Sequence, residues 1–123
     1  SYSFSNLDDG LADLLRNSGW CQAALISTGG GQVGPWWRDR FYARRQLFQG
    51  PTADAAVEAA AIQADLLAGR SRIVSAHNFK AGATLPNEIE PSKFRALVDA
   101  VVGFERAGLC DIVALPDYVA ALE

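Results

Sequence analysis

Three short apolar runs, WCQAALIS at 20–27, RIVSAH at 72–77 and LCDIVAL at 109–115, are each separated from the next by a stretch with helical character. A two-residue hairpin can join antiparallel neighbours, but strands separated by a helix start again from the same end of the sheet and pair in parallel. The order helix, strand, helix, strand, helix, strand, helix therefore predicts an α/β fold: a parallel sheet with crossover helices. With 123 residues, half of them apolar, the chain is long enough to bury a continuous core as one domain over residues 1–123.

The helices are read from spacing and punctuation. Asn6 is placed to cap a helix to about Asn17, where Leu7, Leu11, Leu14 and Leu15 recur at helical intervals and Gly19 stops it. Thr52 precedes an Ala-rich helix to about Ala68, with Ala56, Ala60, Leu66 and Leu67 as its contacts and Gly69 after it. Pro91 suits the first turn of a helix to Arg106 that gathers Phe94, Leu97, Val98, Val101 and Val102 on one face, and Pro116 opens a short terminal helix. Arg40 to Phe48 reads as a short extended segment. Gly29, Gly30, Gly31, Gly34 and Pro35 make an irregular loop, and Asn78 to Glu90 reads as another.

Charge and composition narrow the partners. A net charge of -3 predicts no sequence-wide attraction to nucleic acid or anionic lipid. Arg38, Arg40, Arg44 and Arg45 crowd one stretch, with Asp39 among them, in the manner of a solvated surface. No run approaches the roughly 18 apolar residues of a spanning helix, and no charged-then-apolar leader opens the chain. The sequence has no Met, which fits a processed chain or a piece of a longer polypeptide. Cys21 and Cys110 each lie in an apolar run and read as buried thiols, with a disulfide as the alternative. One histidine and no paired cysteines exclude a structural zinc pattern.

Chemistry concentrates on few residues. His77, the one histidine, ends a predicted strand where parallel sheets gather ligands and catalytic groups. Asp8 and Asp9 are explained by the favourable interaction of carboxylates with a helix N-terminus. The Gly29–Gly31 run has neither the GxGxxG spacing nor a GK[ST] ending, and Ser75 lacks a nucleophile elbow. Trp36 and Trp37, in a Gly/Pro loop beside arginines, cannot both point inward from an extended segment; their flat rings suit a sugar or a protein surface.

In order along the chain, LADLLRNSGWCQAALISTGG, RDRFYARRQLF, RIVSAHNF and the closing helix–strand–helix from EIEPSKF onward resemble the second half of a polysaccharide deacetylase, the NodB-homology family. The resemblance implies part of a distorted (β/α) barrel that removes acetyl groups from amino sugars with a divalent metal. It implies that His77 is a general acid protonating the leaving amine and that Arg45 shapes the pocket; Trp36, Trp37 and Arg44 are the expected substrate-binding residues. The family holds its metal with an Asp and two His; Leu7-Asp8-Asp9-Gly10 echoes its first motif, but no H-x-x-x-H follows.

No metal or other cofactor is therefore expected from this chain alone, and a zinc-like divalent metal is expected where the family's first half is present. Four or so strands also fall short of the roughly eight that close a barrel, leaving an exposed edge. Two expectations follow: the C-terminal portion of a deacetylase-like hydrolase, inactive alone, or a non-catalytic module that binds glycan or assembles with itself. The expected partners are a polysaccharide or amino-sugar polymer, a homo-oligomer or an upstream partner segment, and no nucleic acid or membrane. The expected setting is a secreted or virion-associated protein.

Overall fold

The computed structural model describes residues 43–121, together with residues 17 and 25–26. Trp36, Trp37, Cys21 and the Asp8–Asp9 pair lie outside the described residues, as does most of the first expected helix. In chain order the elements are β1 (Leu25–Ile26), β2 (Ala43–Arg44), β3 (Gln46–Leu47), α1 (Ala55–Leu67), β4 (Val74–Ser75), β5 (Asn78–Phe79), β6 (Glu88–Ile89), α2 (Pro91–Arg106) and α3 (Leu115–Ala121). This is a mixed α/β arrangement of small two-stranded parallel sheets and helices: β1 with β2, β3 with β4, and β5 with β6. No barrel forms among the described residues. None of the described helices is long and apolar enough to cross a membrane.

The two long helices begin and end for identifiable reasons. The Asp54 carboxylate caps α1 by accepting from the N–H groups of Ala56 at 2.9 Å and Val57 at 3.2 Å. Both helices close with the same paired hydrogen bonds. Gly69 N donates to Leu66 O and Arg70 N to Asp65 O; Gly108 N donates to Glu105 O and Leu109 N to Phe104 O. Each closure needs a left-handed residue, supplied by Gly69 at φ 75° and Gly108 at φ 80°.

Packing selects one stripe on each helix. Ala59, Ile62 and Leu97 are buried with Phe48 and Ile89, and Ala55, Leu66, Phe94, Val101 and Phe104 pack around them. The predicted face of α1 is corrected: Ala56, Ala60 and Leu67 are exposed, and the buried stripe runs through Ala55, Ala59, Ile62 and Leu66. An Ala-rich helix offers little contrast between faces, so its rotation is decided by Ile62 meeting the core. On α2, Phe94, Leu97 and Val101 pack as predicted, whereas Val98 is exposed.

Two further expectations are corrected. The segment 109–114 forms no strand: the N–H of Ile112 donates to Glu105 Oε2 at 2.6 Å, and Ile112 and Val113 stay exposed. A side chain of α2 thus takes a ladder donor that pairing would need. The loop expected over Asn78 to Glu90 contains the β5–β6 pair, connected by residues 80–87 alone. This parallel return is much shorter than the dozen or more residues usual for a crossover, and two carboxylates hold it. Glu88 Oε1 accepts from Leu85 N at 2.9 Å and Thr84 N at 3.1 Å, and Glu90 Oε2 accepts from Gly82 N at 2.6 Å. The N–H groups of Leu85 and Thr84, with the Lys80 ammonium 3.3 Å from Glu88, hold the Glu88 carboxyl below the usual carboxylate range.

Behind α1, Arg72 enters a nearly buried charge cluster. Its Nη1 lies 2.6 Å from Asp65 Oδ2 and its Nη2 3.4 Å from Glu58 Oε1. Burial pushes the Glu58 carboxyl up; Arg72 opposes the shift and Asp65 adds to it.

Candidate functional site

Parallel pairing of β3 with β4 sets Gln46 opposite Val74 and Leu47 opposite Ser75. Extending that register by two residues brings Gln49 opposite His77, just past the C-terminal ends of both strands. The extension is real at the backbone, since Phe48 N donates to Ser75 O at 2.9 Å. The pleat then sorts the side chains. Phe48, Val74 and Ala76 turn toward the helices and join the core. Arg45, Leu47 and Gln49 alternate onto the other face, with Ser75 and His77.

His77 and Gln49 meet there, with Nδ1 2.7 Å from Oε1. An amide oxygen only accepts, so Nδ1 carries the hydrogen and Nε2 is the nitrogen left to engage anything outside. His77 is exposed, which leaves Nε2 within reach of a ligand. Ser75 Oγ, on the same face, is buried with no hydrogen-bond partner among the described residues.

The rim is rigid because successive backbone bonds tie it to the second sheet. Gly50 N donates to Glu88 O at 2.6 Å, with Gly50 at φ 97°, a left-handed turn that a side chain would strain. Lys93 Nζ donates to Pro51 O at 3.0 Å and fastens the following turn to the start of α2. His77 is followed at once by β5, where Asn78 N donates to Asn87 O and Lys80 N to Ile89 O. His77 therefore stands at the junction of two parallel pairs.

The predicted residues distribute as follows. His77 lies just beyond β4, the strand from which it was expected to emerge. Arg45 is half-buried between β2 and β3, on the His77 face, but four residues upstream of Gln49 or about 13 Å along the strand. Arg44 lies in β2, its backbone paired in register with Ile26. Trp36 and Trp37 lie outside the described residues. Gln49 was not anticipated, because only the strand register reveals it as the neighbour of His77. Phe79, 53% exposed and next but one to His77, was also passed over.

A divalent metal does not fit the described residues. Among them no three His, Cys, Asp or Glu side chains are grouped to hold one, and His77 Nδ1 is already engaged by Gln49. Cys110 is a free, half-buried thiol pushed up by burial and by the charges of Glu105 and Asp111, so it is a poor ligand or nucleophile. A separate cavity of about 620 Å³ opens on the helix side, lined by Leu66, Val74, Leu97, Leu109, Ile112 and Tyr118 among others, and neither His77 nor Gln49 lines it. The Tyr118 hydroxyl lies 2.8 Å from Ser71 Oγ, and burial pushes the phenol up.

No family model, curated protein or solved structure matches this chain.

Proposed function

We propose that this chain is a carbohydrate-directed α/β domain resembling the polysaccharide deacetylases, in which His77 gives a proton to the leaving amine of an acetylated amino sugar and Gln49 orients its ring. The observation that carries this reading is the 2.7 Å contact between His77 Nδ1 and Gln49 Oε1 at the C-terminal ends of two parallel strands. In the imidazolium form, Nδ1–H stays on Gln49 while Nε2–H faces the substrate. Hydroxide adding to the acetyl carbonyl gives the tetrahedral species; as its C–N bond breaks, the nitrogen takes the Nε2 proton, and the products are the free amine, acetic acid that ionises to acetate in solution, and a neutral imidazole still anchored through Nδ1. The face bearing His77 corresponds to the inner face of the distorted barrel that this reading implies. Arg45 is assigned to shaping the pocket, and Arg44, Trp36 and Trp37 to holding the polymer. The metal ligands of such an enzyme are not supplied by the described residues, and no step is assigned to a metal here.

A second reading, a non-catalytic assembly module, is favoured by the exposed Ile112 and Val113 in a segment that forms no strand and by the exposed Leu115 that opens α3 after it. Both readings are tested by titrating the full chain with an N-acetylglucosamine oligomer, with and without zinc, while following the His77 ring resonances and acetate release. The deacetylase-like reading expects saturable His77 shifts and no acetate from this chain alone. Zinc-dependent acetate release would refute the non-catalytic module, and an imidazole unmoved by the oligomer would overturn the carbohydrate reading.

A further inference from the structure

Resting on the carbohydrate-directed reading above, we infer that Phe79 is a stacking platform for a pyranose ring, placed to set where the sugar chain lies relative to His77. Phe79 is 53% exposed although the backbone that bears it is tied down by the bonds of Asn78 and Lys80 to the second strand. Its ring meets Phe94 edge to face, with centroids 5.0 Å apart and planes at 87°. In such a T-shaped pair, at least one face of Phe79 is not covered by its partner. Phe94 is in turn braced against Phe48 of the core, with centroids 6.3 Å apart, so the platform is held from behind.

The backbone beneath it is equally fixed. Phe79 pairs with Ile89, which is fully buried, and the turn that follows is clamped by the Glu88 and Glu90 carboxylates. A rigid, exposed aromatic ring loses little conformational freedom on binding, which is the property that makes such rings effective contacts. Position supplies the ligand class. His77 and Phe79 are two residues apart, with at most about 7 Å between their Cα atoms across the bend at His77, a separation that one oligosaccharide can span. The axial C–H groups of a pyranose form an apolar face that suits an aromatic ring, while the sugar hydroxyls remain free for the polar rim.

The test compares the full chain with Phe79→Leu and Phe79→Trp, using an N-acetylglucosamine oligomer as the probe and following chemical shifts of His77 and of residues 78–89. Leucine keeps apolar volume against Phe94 but has no ring face; tryptophan keeps a larger one. The expected result is affinity about tenfold weaker in Phe79→Leu, retained or increased affinity in Phe79→Trp, and a His77 ring that keeps its hydrogen on Nδ1 in all three free proteins. Equal affinity of Phe79→Leu and the parent would overturn the platform while leaving the carbohydrate reading standing. Absence of binding by the parent would overturn both.

Discussion

Replacing Arg72 by Met should destabilise the fold by about 3 kcal/mol, the lower part of the range for removing one partner of a buried ion pair. The lower part applies because Arg70 Nη1 remains 3.6 Å from Asp65 Oδ1 and because Asp65 and Glu58 keep 12% of their side chains accessible. What the substitution leaves behind is two carboxylates facing each other with the shared guanidinium gone. With a urea dependence of about 2 kcal/mol per M, the unfolding midpoint should fall by roughly 1.5 M, measured by circular dichroism at pH 7.

The pH dependence supplies the internal check. Burial already raises the Glu58 carboxyl in the folded state and Arg72 opposes that rise. Without Arg72 the folded state binds a proton more readily than the unfolded one, so its stability relative to the parent improves as pH falls. The deficit should therefore shrink between pH 7 and pH 5. Combining Arg72→Met with Glu58→Gln and Asp65→Asn should recover much of the loss. A pH 7 deficit below about 0.5 kcal/mol, the scale of an ordinary surface change, or one that grows in acid, would refute the reasoning.

Other consequences follow from the same structure. Glu88 has a folded-state carboxyl held below its ordinary value, so its contribution is present above about pH 4.3 and lost as pH falls through the lowered value. Acid titration of the urea midpoint should show a decline in the parent that is flatter in Glu88→Gln. Truncating the fully buried Ile89 to Ala should cost about 3 kcal/mol by calorimetry or denaturation. Asp54→Ala should cost about 1 kcal/mol through loss of two N-cap acceptances, with a corresponding fall in Tm.

The parts of the fold readable from the sequence were those written in punctuation. Pro91 and Gly108 bracket α2 and Gly69 closes α1, whereas the strand at 74–75 pairs not with either of the other two apolar runs but with β3, inside the stretch read only as a short extended segment. Less legible was anything that depends on tertiary phase. Alanines at 55, 56, 59 and 60 look alike, and only packing against Ile62 and the core shows which two face inward. The run at 109–115 has the composition of a strand, yet Glu105 captures the Ile112 N–H, an interaction across a helix end that no alternation pattern encodes. At the site, His77 could be picked out by rarity and position. Gln49 could not, because the two lie 28 residues apart and become neighbours only through the β3–β4 register.

Because His77 is the chain's one histidine, ¹⁵N chemical shifts of its ring can be read without ambiguity. With neutral imidazole, the account predicts hydrogen on Nδ1 and an unprotonated Nε2 whose signal moves when an N-acetylglucosamine oligomer is added. In Gln49→Ala the preference for Nδ1 should be lost. Hydrogen found on Nε2 in the parent, or an Nε2 signal indifferent to the oligomer, would contradict it.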